Sequence, residues 1–218
     1  MGHEDVRSLR RLYRRASRYY DAVDWPMEHF RYRRIRRELW ARAEGRVLDL
    51  GAGTGRNAAY YGTGATVTAA DLSPEMLARA RQRLAPAGHA PRAVVSDALR
   101  LSFRDGAFDA CVSTFLFCVL PDALQEAALK EVARVLRPGG TVHLLEYVYS
   151  RRTWRRRSMQ LMAPLVESLF GARFDRDTRR HLRAAGFRIV EETLVHSDIV
   201  LKLTAERPPE GSLSSTSL

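Results

Sequence analysis

Val6, Leu9, Tyr13, Ala16 and Tyr20 recur at three- and four-residue steps, with Arg7, Arg10, Arg11, Arg14, Arg15 and Arg18 between them. That spacing predicts an amphipathic helix over residues 6–20. From residue 46 the rhythm changes to short apolar runs bounded by turn residues. The run 47–50 predicts a buried strand, the turn Gly51-Ala52-Gly53-Thr54-Gly55 follows, and 56–61 predicts a helix. Further strands are predicted at 66–70, 92–95, 108–114 and 141–147. Helices are predicted at 75–84, with Ser73 as N-cap and Pro74 at the first helical position, and at 123–136, stopped by Arg137-Pro138-Gly139-Gly140. Strands separated by helices imply a parallel sheet with helices on both faces, and ligands that lie beyond the carboxyl ends of the strands.

Residues 151–170 break the alternation. They set Trp154, Met159, Met162, Leu165, Val166, Leu169 and Phe170 against Arg151, Arg152, Arg155, Arg156 and Arg157, which predicts a second amphipathic helix. A helix at 176–185 stops at Gly186, and 187–195 with 199–203 predict a closing hairpin. Residues 206–218, with a Pro pair and a Ser/Thr run, are expected to form a disordered tail. The chain thus divides into a basic N-terminal cap (1–45), an alternating core (46–149), a basic helical insertion (150–185), closing strands (186–205) and the tail.

Composition narrows the class. The 218 residues are 45% apolar and 28% charged, as in one soluble globular domain. Two cysteines, Cys111 and Cys118, are too few for a disulfide framework or a closed zinc site, so a reducing cytoplasmic setting and no metal are expected. No apolar run approaches the roughly 20 residues of a membrane-spanning helix, and the start lacks the apolar core of a signal peptide.

The net charge of +11 is unevenly spread. Residues 1–46 carry +6, residues 47–149 are neutral, residues 151–188 carry +8 and the remainder −3. Two cationic flanks around a neutral core suit phospholipid head groups, nucleic acid or an acidic substrate, and solvated arginine-rich faces are the plain alternative.

The glycine turn joins a strand to a helix, where backbone N–H groups can approach a ligand. Asp71 follows at the tip of the next strand, where a carboxylate can accept bonds from both ribose hydroxyls. The pair selects a ribose-bearing cofactor, either a dinucleotide or S-adenosylmethionine (SAM). The dinucleotide pattern G-x-G-x-x-G fails, because Arg56 stands three residues after Gly53.

Val47-Leu48-Asp49-Leu50-Gly51-Ala52-Gly53-Thr54-Gly55 resembles the first motif of the class I SAM-dependent methyltransferases, and Asp71-Leu72-Ser73-Pro74-Glu75-Met76-Leu77 their second. Ser96-Asp97-Ala98, the stretch from Phe108 to Phe115, and Val135-Leu136-Arg137-Pro138-Gly139-Gly140 are similar to later landmarks of that family. Within it, the quinone-biosynthesis C-methyltransferases and bacterial phospholipid N-methyltransferases are the nearest in look. The resemblance implies an α/β, Rossmann-like fold: a seven-stranded, mostly parallel sheet with helices on both faces, an antiparallel final strand and an N-terminal helical cap.

It also implies roles. Gly51, Gly53 and Gly55 would line the methionine and ribose parts of SAM, with Asp49 near its ammonium or, equally, pinning the loop. Asp71 would hold the ribose hydroxyls, Leu72 and Met76 would pack on the adenine, with Met76 at helical spacing from Ala80 equally a core residue, and Asp97 with Ala98 would read its edge. Thr114 and Phe115 would face the sulfonium. Candidates to assist catalysis are Glu146, Tyr147 and Tyr20, the last in a Tyr20-Asp21 pair that resembles one closing the pocket in related enzymes. His143 is expected to be a satisfied core histidine, and Cys111 a core residue.

The expected acceptor is an amphipathic small molecule, a phospholipid amine or quinone precursor met at an anionic membrane surface through the Arg-rich helices. Alternatives are a soluble thiol, phenol or amine and, in another class, nucleic acid. Against nucleic acid stands Ser113-Thr114-Phe115-Leu116, which offers no amide or carboxylate to a base amine.

Overall fold

The computed structural model describes residues 32–84 and 92–209. The element order is α1 (Arg33–Trp40), β1 (Gly45–Leu50), a 3-10 helix (Arg56–Tyr60), β2 (Ala65–Asp71), α2 (Pro74–Leu84), β3 (Arg92–Val95) and β4 (Phe108–Thr114). There follow α3 (Asp122–Val135), β5 (Leu136–Tyr147), α4 (Thr153–Phe170), α5 (Thr178–Ala184), β6 (Arg188–Val195) and β7 (Val200–Glu206). The strands form one seven-stranded sheet in the order β3-β2-β1-β4-β5-β7-β6. β1 pairs in parallel with β2 and β4, and β4 with β5. β7 runs antiparallel to both β5 and β6, so the antiparallel strand lies inside the sheet.

The two-residue period of the strands divides the core between the faces. Leu48, Leu50, Cys111, Val142 and Leu144 pack with Leu129, Val132 and Val135 of α3 and Leu182 of α5. Val47, Val112 and Leu145 pack with Ile35, Leu39 and Trp40 of α1. The strand order reverses between β1 and β4, which opens a crevice at their carboxyl ends, the usual ligand position in such a sheet.

Several boundaries differ from the sequence reading. The stretch after the glycine turn is a short 3-10 helix that ends at Tyr60. β5 begins at Leu136, and Arg137-Pro138-Gly139-Gly140 forms an irregularity within its pairing to β4: Phe108 pairs with Leu136 and Ala110 with Thr141. Glu206 is ordered in β7 opposite Thr141, and Arg207 exchanges backbone hydrogen bonds with Gly139 and Gly140. Residue 206, expected to open a disordered tail, is therefore part of a strand, while residues 210–218 lie outside the described residues, as does the helix predicted at 6–20. No helix among the described residues is long and apolar enough to cross a membrane.

Candidate active site

The glycine turn takes its shape from positive φ angles at Gly51, Gly53 and Gly55. Gly51 and Ala52 both donate to the Ala70 carbonyl, at 2.8 and 3.0 Å, which ties the turn to the end of β2. A Cβ on Gly53 would meet no protein atom closer than 4.0 Å, so that peptide faces open space. A Cβ on Gly55 would lie 3.0 Å from the backbone of Ala80, so Gly55 serves the packing of α2.

Asp71, at the tip of β2, is held by two N–H groups. Gly53 donates to Oδ2 and Ser73 to Oδ1, each at 2.9 Å. Burial raises its pKa, and these backbone donors oppose the rise. Asp71 also lines the cleft, where its carboxylate can accept from hydroxyls of a ligand. The next turn is organised similarly: Asp97 Oδ1 accepts the Leu99 N–H at 2.9 Å, and Ser96 donates to the Asp71 carbonyl at 3.0 Å.

These groups line a solvent-open cleft of about 890 Å³. Gly51, Gly53, Asp71, Leu72, Met76, Asp97 and Ala98 line it on the β1–β2–β3 side; Thr114, Phe115, Leu116, Val119 and Leu120 line it on the β4 side. Among the described residues, its lining carboxylates are Asp71 and Asp97.

Asp49 does not line the cleft. It is buried on the α1 face, where Asn57 donates to Oδ1 at 2.8 Å and the Tyr61 hydroxyl to Oδ2 at 2.6 Å. Burial pushes its pKa up to about 6 against these donors and the nearby Arg36 charge. Its partners Asn57 and Tyr61 both belong to the segment that follows the glycine turn. Arg36 is buried and donates from Nη1 to Asn57 Oδ1 and Thr114 Oγ1, both at 2.6 Å. An Arg36–Asn57–Asp49–Tyr61 network thus runs behind the cleft wall and reaches it at Thr114.

Phe115 adopts a left-handed φ of +60° without being glycine. Such a conformation costs of order 1–3 kcal/mol and persists only where its surroundings impose it. Here its N–H donates to the Leu145 carbonyl at 2.7 Å, and its ring stacks on Tyr147 with centroids 4.5 Å apart. Tyr147 does not line the cleft; it backs Phe115, and its hydroxyl lies 3.0 Å from that of Tyr32. Glu146 points to the opposite face. It is buried and accepts the N–H groups of Phe117 and Cys118, at 3.0 and 2.8 Å, and burial pushes its pKa up to about 7. The structure therefore brings neither Glu146 nor Tyr147 to the cleft, and Tyr20 lies outside the described residues.

His143 sits in the core between Thr141 and Thr204, each 3.1 Å from a ring nitrogen, and burial pushes its pKa down to about 4. Cys111 is fully buried, and burial raises its thiol pKa. Among the described residues, no group of His, Cys, Asp and Glu is placed to hold a metal. The network residues Arg36, Asn57 and Tyr61 were missed by the sequence reading.

A parallel sheet with a glycine turn after β1 and a carboxylate at the tip of β2 defines a nucleoside-binding α/β protein. Comparison with known proteins makes this specific. Residues 47–140 match the methyltransferase domain family. A demethylmenaquinone methyltransferase of Thermus thermophilus is 39% identical over 144 residues, which cover 60% of this chain and 64% of that protein. A phosphatidylethanolamine N-methyltransferase of Cereibacter sphaeroides is 41% identical over 105 residues, 47% of this chain and 51% of that protein. The chain therefore spans between about half and two thirds of these relatives. A solved SAM-dependent methyltransferase of Thermotoga maritima superposes with a TM-score of 0.70 at 21% identity, over 91% of this chain and 99% of that one. Over residues 47–140 the chain thus carries a methyltransferase domain, both relatives are named as methyltransferases, and SAM is the cofactor named for the Thermotoga maritima protein.

The site fits that cofactor. The open approach over Gly53, the fixed Asp71 carboxylate and the Leu72–Met76 wall offer respectively room for a ligand close to the backbone, ribose acceptors and an apolar surface for a purine.

Proposed function

We propose that this chain transfers a methyl group to an amphipathic small molecule, a phospholipid amine or a quinone precursor, taken up at a membrane surface. SAM bound in the cleft would supply an electrophilic methyl carbon beside a cationic sulfur. Asp71 would hold the ribose, Leu72 and Met76 the adenine, and Asp97 with the Ala98 backbone its polar edge. Thr114 and Phe115 would flank the transfer point.

The observation that carries this reading is the apolar β4 side of the cleft, lined by Phe115, Leu116, Val119 and Leu120, with both lining carboxylates on the β1–β2–β3 side. Such a wall suits an acceptor with a hydrophobic body. An acceptor bound against it would displace water and be aligned, which can supply roughly 7–11 kcal/mol of barrier lowering without a dedicated base. An amine would then have to enter neutral and give its proton to solvent after transfer. The two relatives named above, whose names give a quinone precursor and a phospholipid amine as acceptors, support the same pair of substrates.

The test is transfer of radiolabelled methyl from SAM, by the purified chain, into a lipid extract, a soluble metabolite pool and total RNA in parallel. Label in the lipid fraction is expected. Label confined to the soluble pool or to RNA would overturn the proposal.

A further inference from the structure

Helix α4 follows β5 after a short connection, yet it has no buried residue along its 18 positions. Its inner stripe, Met159, Ala163, Val166 and Phe170, is only half-buried. A second stripe is open: Trp154 is 66% exposed, Leu161 82%, Met162 49%, Leu165 52% and Leu169 52%. At about 100° per residue these five side chains fall within an arc of roughly 100°. They account for five of the seven large apolar residues exposed among the described residues.

Both ends of the helix are fastened. At its start, the Asp198 carboxylate of the β6–β7 turn accepts from Ser150 Oγ, the Arg151 N–H and Arg155 Nη1. At its end, Arg173 donates its N–H to the Cys118 carbonyl, while Val166, Phe170 and Ala172 pack with Phe115, Leu116 and Val119 of the cleft wall. The open stripe is thus carried on a fixed helix whose end abuts the β4 side of the cleft.

The charge around the stripe is of one sign. Arg151, Arg152 and Arg157 are exposed, and none pairs with a carboxylate among the described residues. A second copy of the chain would offer this face little complement, because the helix carries one acidic residue, Glu167, which already pairs with Arg173. An apolar stripe with Trp near its start and arginines beside it is the pattern of a helix lying in a lipid interface, rings and aliphatic chains among the acyl tails and guanidinium groups on phosphates.

We infer that α4 is the element by which this protein docks on an anionic phospholipid bilayer, through the Trp154–Leu161–Leu165–Leu169 stripe and the flanking Arg151, Arg152 and Arg157. The inference rests on the membrane-surface reading above and adds the docking element. Docking there places the apolar side of the cleft near the lipid, so an acceptor with a long hydrocarbon body could enter without passing through water.

The test uses the purified full chain and vesicles of phosphatidylcholine alone or with phosphatidylglycerol, in a flotation assay without methyl transfer. The parent should bind the anionic vesicles, more weakly as salt rises, and show a blue shift of tryptophan emission that Trp154→Phe removes. Leu161→Asp with Leu165→Asp should weaken binding at least tenfold while leaving SAM affinity within twofold and the melting temperature nearly unchanged. Undiminished binding by the double variant, or no binding by the parent, would overturn the inference. So would a parent dimer that the same two substitutions dissociate without any vesicle binding. Because binding is read separately from methylation, lipids could fail as acceptors and leave the docking surface standing. Lipid methylation without α4-dependent binding would sink the docking surface alone.

Discussion

Glu146 on β5 holds the backbone of Cys118: Oε2 accepts the Cys118 N–H at 2.8 Å, and Oε1 accepts that of Phe117 at 3.0 Å. One carboxylate thereby fixes the turn that carries Leu116 and Val119 into the cleft. Leaving buried donors without partners costs about 1–3 kcal/mol each. Glu146→Ala should lower the unfolding free energy by about that range or more, and Glu146→Gln, which keeps one acceptor, by less. Denaturant melts of the three proteins check the order; equal midpoints would refute the role.

Ionisation of buried groups should shape stability with pH. Burial raises Glu146 to about 7, so the folded state holds its proton more tightly than the unfolded state. Its contribution is full below the ordinary carboxylate range and is lost as pH rises toward about 7. His143 is the opposite case: pushed down to about 4 by burial, it contributes fully above about 6.5 and loses that contribution as pH falls toward about 4. Glu146→Gln should flatten the high-pH side of the stability profile and His143→Asn the low-pH side. Urea midpoints between pH 4 and 8 provide the measurement.

Asp71 accepts two backbone N–H groups and lines the cleft. Asp71→Asn should weaken SAM binding at least tenfold by calorimetry, since an amide oxygen replaces a carboxylate as acceptor and charge-assisted bonds are about twice as strong as neutral ones. Unchanged affinity would mean the ribose lies elsewhere.

Gly53 and Gly55 should separate binding from stability. Gly53→Ala places its methyl in open space, so SAM affinity should drop while the melt falls by only about 1 kcal/mol, the cost of the left-handed φ. Gly55→Ala adds a 3.0 Å contact with Ala80 to the same penalty and should cost about 2–4 kcal/mol of stability. Thermal melts with and without SAM read both effects; the reverse pattern would contradict the cradle.

The strands, their order of appearance and the nucleoside side of the cleft could be read from local pattern, because apolar runs, turn glycines and the Asp71 tip are short-range signals. The other side could not. Glu146 and Tyr147 are neighbours in one strand and must face opposite sides of the sheet, so a reading that sent both to the cleft conflicted with strand geometry. Arg36 was hidden among Arg31, Arg33, Arg34 and Arg37, where charge obscures which guanidinium the helix turns inward. Asp49 shares its strand tip with the motif, but only the fold shows Asn57 and Tyr61 closing over it. The antiparallel strand was legible as a hairpin, whereas its position between β5 and β6 depends on a long-range pairing that no local pattern encodes.

That position governs how the molecule is made. β6 leaves the ribosome before β7 but touches the rest of the sheet only through it. Until residues 200–206 emerge, β5 remains an open edge and β6 a strand without a neighbour. A nascent chain stalled or truncated before this point would expose two unpaired edges at once, so this protein should be most prone to aggregate in the interval before residues 200–206 are available to pair.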